Sequence, residues 1–431
     1  MTSPASAGSD RSAPAGSWLT RADLRPVALL IALSLCLQIG IAVQVTRGTA
    51  MPLAWLGVFF DGYLYLDIAR SFPLPFSPEG RDYLGQAPGY PALIYLARQL
   101  TPLHPVNWGI LALATSWLSA ALSAGAFYGV CRAAGLAPFW PSVAFIVANP
   151  RWLSVAATAH PEGLAMLLVL LTAAAQLRGR LGWAVVWLSL AGLTRFPALL
   201  IGVALAFDTL LVQRRRDLRT LATLSLPLLA FAAHNLYLFV RIPGYAGMGE
   251  AHRVFWDTHL TWPFQALIEN AVGWLQGTAP GPNFALTYLS VACYLASLAV
   301  GVRESERRLR FLTVWVAAIV LFHVSLAGEW GGFDFARLVI LAWPAALLLL
   351  WRRVRFAAPP AAAAAGWAVA GALSAAITAS LLSEAVRWQR SSYPWPAISI
   401  RRLEAEEPRW FDFGARFEPP ALRGAPGESS P

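Results

Sequence analysis

Lysine is missing from this chain: all 33 basic residues among its 431 are arginine. Charge of either sign is scarce, 13% of residues against 57% hydrophobic, whereas a soluble domain carries about a quarter charged residues. That imbalance excludes an ordinary soluble protein. Cysteine is nearly missing too: Cys36 and Cys293 fall inside apolar runs and Cys131 at the end of another. Neither a disulfide framework nor a thiolate metal site is indicated. No Asp-x-Asp pair occurs, and no glycine-rich loop between a strand and a helix. The usual devices for holding a nucleotide and its metal are therefore missing as well.

What the chain has instead is a series of apolar runs of roughly 15 to 22 residues, where a helical crossing of a bilayer core asks for about 20. They fall near 26–45, 108–130, 139–156, 162–177, 181–194, 197–212, 220–240, 284–302, 310–327, 337–351 and 362–382. The expected fold is all-α, a polytopic transmembrane bundle of about eleven spans with short interfacial helices in its outer loops. The net charge of +10 invites a nucleic-acid reading, but the arginines cluster in tight turns between apolar runs. RGR at 178–180, QRRRDLR at 213–219, VRESERRLR at 302–310 and WRRVR at 351–355 read as cytoplasmic topology signals. With the amino terminus inside, eleven crossings put every such cluster on that side. The protein is thus expected in the cytoplasmic membrane, with lipids and no nucleic acid as partners.

This topology divides the chain into a disordered cytoplasmic tail (1–25), a transmembrane domain (26–382) and an outer carboxyl-terminal tail (383–431). Two long outer loops, 46–107 and 241–283, are rich in tryptophan, tyrosine and proline, residues that suit the headgroup level. The first run is too long for a signal-peptide core and reads as an uncleaved anchor. Cytoplasmic loops are minimal, so chemistry is expected on the outer face.

The stretch VFFDGYLYLDIARSF, 58–72, keeps two carboxylates among apolar residues. Helical spacing puts Asp61 on one face with Tyr65 and Ile68. Asp67 points elsewhere and has Arg70 three residues on. Asp61 has no cation nearby in sequence, and at an apolar boundary its proton affinity is expected to rise, which suits a general base. A helix-capping role fits the same position. Further along, His160-Pro161-Glu162 opens a span. Proline followed by an acid is an ordinary helix start, yet it also sets an imidazole and a second carboxylate on the outer face. Arg195 and Arg337 each stand at the outer end of a run, against the charge bias. They either snorkel to headgroups or bind an anionic phosphate through a guanidinium fork. Asp208 is expected to pair with a cytoplasmic arginine, and His234 and Asn235 to bond to neighbouring helices.

In this order the motifs resemble the GT-C class of integral membrane glycosyltransferases. The nearest likeness is to the PIG-V type mannosyltransferases and to dolichyl-phosphate-mannose protein mannosyltransferase-like proteins. The residues that carry it are Asp61, Tyr65 and Ile68-Ala69 after the first span, Pro88 to Pro91 (Pro-Gly-Tyr-Pro) before the second, Glu162 opening the fourth, Leu-Thr-Arg at 193–195, and Ala336-Arg337 ahead of Pro344. The likeness covers about residues 25–350. Asp61-Gly62 departs from the acidic pair or Asp-Trp common there, and WDTHLTWPFQAL at 256–267 matches only in its aromatic-proline pattern.

The resemblance implies a polyprenyl-phosphate sugar as donor, a lipid, glycan or protein hydroxyl as acceptor, and inversion with Asp61 as general base. It also implies Tyr65, Asp67, His160 and Glu162 at the substrate and Arg195 and Arg337 at the donor phosphate. No resident cofactor or divalent metal is indicated. Two other readings are a lipid or solute transporter, which asks for midplane polar groups and repeat symmetry, and a non-catalytic assembly protein, which has no use for Asp61.

Overall fold

The computed structural model describes residues 19–49, 51–72, 86–101, 107–242, 245–277, 284–304, 306, 309–328, 335–353 and 360–392. The first helix, α1 (Arg21–Thr49), begins with Asp23 in its first turn, and runs past the expected end of its span at 45. A 3-10 turn at Leu53–Gly57 leads to α2 (Gly62–Ser71), and α3 (Gly89–Leu100) follows. Then comes α4 (Trp108–Ala133), whose start is fixed by Asn107, its side chain accepting from Gly109 N at 2.8 Å.

Next are α5 (Phe139–Val147), α6 (Pro150–Ala157), α7 (Glu162–Leu177) and α8 (Leu181–Thr194). Asn149 caps α6 with Pro150 at its first position, the arrangement that favours helix initiation. A 3-10 turn (Phe196–Leu200), α9 (Ile201–Phe207) and a π-turn (Asp208–Val212) carry the chain to α10 (Leu218–Arg241). After it come α11 (Met248–Trp256), α12 (Gln265–Leu275), α13 (Phe284–Val302), α14 (Arg310–Val324), the four-residue α15 (Phe335–Leu338), α16 (Trp343–Trp351) and α17 (Pro360–Ser392). Strands β1 (His259–Leu260) and β2 (Leu326–Ala327) pair antiparallel, a minimal tie between the segment after α11 and the end of α14. Otherwise the described architecture is helical, and α17 continues ten residues beyond the expected stop at 382.

Among the described residues five helices, α1, α4, α10, α13 and α17, are long and apolar enough to cross a membrane alone. The bent pair α6 and α7, 117° apart, adds a sixth, and shorter apolar helices occupy the remaining expected spans of 181–194, 197–212, 310–327 and 337–351. The chain is a multi-pass membrane protein. On α10, Leu228, Leu229, Leu236 and Phe239 face outward, as a lipid-facing surface does.

Inside, α4 packs on α1 and α7, and α7 on α8. Lipid tails are as apolar as leucine, so tight approach of small residues and interhelical hydrogen bonds hold such bundles. Here Ser116, Ser119, Ala120, Ser123 and Ala124 of α4 are buried, and a Cβ on Gly163 of α7 would lie 3.0 Å from Ser116 O. The bend between α6 and α7 exposes carbonyls that lipid cannot satisfy. The helix α4 satisfies them: the Trp117 indole donates to Ala157 O at 3.1 Å, Ser116 Oγ to His160 O at 3.3 Å and Ser123 Oγ to Gly163 O at 3.2 Å.

Candidate active site

The bend is what builds the site. Helix α6 stops at Ala157, Pro161 blocks its continuation, and α7 restarts with Glu162 completely buried. Glu162 is therefore an ordinary helix start and a buried ion-pair anchor at once. Its Oε1 accepts from Arg195 Nη1 and, at 2.6 Å, from Arg337 Nε. Arg195 is the one extended residue between α8 and the following 3-10 turn, where Pro197 ends the reach of α8. Arg337 comes from α15. Their side chains are 11% and 13% exposed, so neither snorkels to the headgroups. An acidic partner for both arrives from α7.

Asp61 immediately precedes α2 and lies outside the spanning helices. Its carboxylate makes no capping bond to α2; its Oδ2 accepts from Arg337 Nη2 at 2.5 Å. Burial pushes its carboxyl up, but Arg337 first and His160 next outweigh that, and the net position is below the ordinary carboxylate value. The expectation of raised proton affinity is thus corrected. It assumed no cation nearby, and the cation comes from 276 residues away in sequence. Phe60, just before Asp61, has φ +57°, a left-handed conformation that costs a bulky residue about 1–3 kcal/mol. Its ring lies 5.7 Å from that of His160.

His160 is buried, with Nδ1 2.6 Å from Thr158 Oγ1. Tyr65 is buried on α2, donates to Gln86 Oε1 at 2.8 Å and meets the Tyr90 ring edge-on at 5.5 Å. Tyr90 in turn donates to Ala112 O at 2.8 Å. Asp61, His160, Glu162, Arg195 and Arg337 are therefore one electrostatic cluster, with Tyr65 beside it. Asp67 is not brought into it and sits 3.5 Å from Arg70 as its spacing suggests, while the Arg70 guanidinium lies 5.8 Å from the Trp108 ring centre. Asp334, three residues before Arg337, lies outside the described residues. Thr158, Gln86 and Tyr90 were not singled out as site residues. Tyr90 stands within the Pro-Gly-Tyr-Pro motif, and Thr158 precedes a proline-broken helix start, a signal that was available.

Two atoms of the cluster are left over. Glu162 Oε2 and Arg195 Nε are buried with no hydrogen-bond partner among the described residues. Such groups are costly unless something fills the place. Among the described residues no set of three His, Cys, Asp or Glu is placed to hold a metal ion.

No family model matches the chain, and no curated protein matches it. Among solved structures it is similar to ArnT from Cupriavidus metallidurans. The apo-state crystal structure gives a TM-score of 0.44 at 17% identity over 68% of this chain and 55% of that one. The crystal structure bound to undecaprenyl phosphate gives 0.49 at 17% identity over 76% and 60%. This chain spans less than two thirds of the length of either.

Elsewhere two expectations are revised. Asp208 accepts from two amides, Gln176 Nε2 at 2.5 Å and Gln213 Nε2 at 2.7 Å, and forms no arginine pair among the described residues. The π-turn points it back toward α7, away from the loop. Asn235 accepts from Tyr245 Oη at 2.8 Å and, as expected, from a neighbouring helix, Met248 N at the start of α11, at 3.4 Å, but His234 Nε2 is buried without a bond among the described residues.

Proposed function

We propose that this protein is a GT-C-type membrane glycosyltransferase. In this reading it moves a sugar, mannose-like by the motif resemblance, from a polyprenyl-phosphate donor to an acceptor hydroxyl on the outer face of the cytoplasmic membrane. The observation that carries it is the convergence of two buried guanidiniums on one carboxylate beside Asp61, with an oxygen and an N–H left unsatisfied. A guanidinium fork suits phosphate oxygens and cannot deprotonate. Arg195 and Arg337 hold the donor phosphate in this reading, and Tyr65, His160 and Glu162 bound the space for the sugar and acceptor.

The reaction inverts the anomeric centre. The acceptor oxygen attacks the anomeric carbon from the face opposite the phosphate, the carbon–oxygen bond to phosphate breaks with its electron pair, and Asp61 takes the hydroxyl proton. Electrostatic stabilisation of the leaving phosphate by the arginines supplies the rest. Incubating the purified protein with labelled polyprenyl-phosphate sugars tests the reading: transfer or hydrolysis of at least one supports it. Inertness toward the whole panel, with vesicle assays showing lipid or solute movement, replaces it with the transporter reading. Reporter fusions after residue 216 test the orientation, which requires that point to lie inside.

A further inference from the structure

The reading above gives Arg337 a phosphate to bind, yet in this structure its fork is already engaged. Nη2 is on Asp61 and Nε on Glu162. The groups that face Asp61 are Arg337 from α15, His160 from the bend, Glu162 from the start of α7 and Tyr65 from its own helix. Among the described residues, two carboxylates and two guanidiniums leave the cluster formally neutral. A phosphodiester brings one negative charge into it, and that charge has a claim on the same guanidinium.

We propose that Arg337 is a positioning residue that holds Asp61 in an inactive ion pair until the phosphate of a lipid-linked donor takes its Nη2. Donor binding then arms the base, and the acceptor is deprotonated only when a donor is present. This rests on the reading of the site as a donor-phosphate site.

The charges follow the step through. Before donor binding Asp61 is an anion stabilised by Arg337. Afterwards it has lost that partner and gained a neighbouring negative charge, and both changes raise its proton affinity. Burial of its side chain, 31% exposed, already acts in that direction. The proton leaving the acceptor hydroxyl goes to Asp61, the acceptor oxygen bonds to the anomeric carbon, and the departing phosphate becomes a dianion. The net charge of the site is the same before and after transfer.

Infrared difference spectra of the full-length protein in nanodiscs, with and without undecaprenyl phosphate as the probe, follow the protonated-carboxyl band. Its loss in Asp61→Asn assigns it. The expected result is an upward move of the Asp61 protonation midpoint by about one pH unit or more on saturation with the probe. Arg337→Gln should show a raised midpoint before any probe is added and little further change with it. Binding of the probe, measured separately on the same samples, with an unmoved midpoint in the wild type overturns the proposal and leaves the donor-site reading standing. Absence of binding overturns both.

Discussion

Two clusters of charged side chains link helices at opposite ends of the bundle, and they are built to different standards. At the start of α1, Asp23 is bonded on every side. It accepts from Thr20 N at 2.7 Å, Thr20 Oγ1 at 2.6 Å and Tyr128 Oη at 2.9 Å, and pairs with Arg132. That cluster is closed and ties α1 to α4. The cluster of Asp61, Glu162, Arg195 and Arg337 is open, because Glu162 Oε2 and Arg195 Nε have nothing to bond among the described residues. A completed network contributes to stability and does nothing else, whereas an incomplete one has capacity for a ligand. Charge burial alone therefore does not mark the site.

The comparison is tested most severely at Asp61, the proposed base. Asp61→Asn keeps the shape and should cut transfer by about 100- to 10,000-fold, as general-base losses run, in protein that still inserts. Asp67→Asn, paired locally with Arg70, should cost at most a few-fold. Equal and large losses from both in a transfer assay would point to a paired-acid site. Next in size is Arg195. Charge-assisted bonds are worth about 1.5–3 kcal/mol, so Arg195→Gln should weaken polyprenyl-phosphate binding roughly 10- to 100-fold. Arg195→Lys, which keeps charge without the fork, should do less, and acceptor affinity should not change. Donor binding indifferent to Arg195→Gln would shift the phosphate to Arg337 alone.

The closed cluster should answer in the other currency. Asp23→Asn should lower stability by about 1.5–3 kcal/mol, read as a fall in melting temperature, while transfer per folded molecule is unchanged. A catalytic defect there would erase the distinction between the two ends. The smallest effect is that of pH on the donor-free protein. Asp61 has a folded-state pKa below its unfolded value, so its contribution to stability is present above the unfolded value, about 3.9. It is lost only as pH falls through the lower folded value. The Asp61-dependent part of the melting temperature, wild type against Asp61→Asn, should be flat between about pH 5 and 8 and shrink only in stronger acid.

Much of this architecture was legible in the sequence because apolar run length and arginine placement are local signals. The helices α4, α7, α8 and α10 begin and end within a few residues of the expected runs, whereas the run expected at 139–156 is two helices, α5 and α6, and that at 197–212 is a 3-10 turn, α9 and a π-turn. Asp61, Glu162, Arg195 and Arg337 stood out for the same reason, as polar residues beside or at the ends of apolar runs. Their partnerships did not. Arg337 reaches Asp61 across 276 residues and Glu162 across 175, and no spacing rule connects positions so far apart. The proton affinity of Asp61 was misjudged because it depends on that partner, and Asp208 because a π-turn rotates it toward Gln176. The left-handed Phe60 gave no signal, since any residue type there reads as helix or turn.

Gly89, the first residue of α3, has a consequence for how this molecule would appear in a mutational screen. A Cβ there would lie 2.6 Å from Thr194 Oγ1 and 2.9 Å from Leu193 O, against the two residues that immediately precede Arg195. Alanine scanning treats the methyl group as a blank. At this position the methyl is the perturbation, and it presses on the joint that aims a guanidinium. Gly89→Ala should therefore score alongside the charged residues in an activity map, although glycine has no side chain with which to touch a substrate. Residues ranked by loss of activity would include a position whose whole contribution is vacant space.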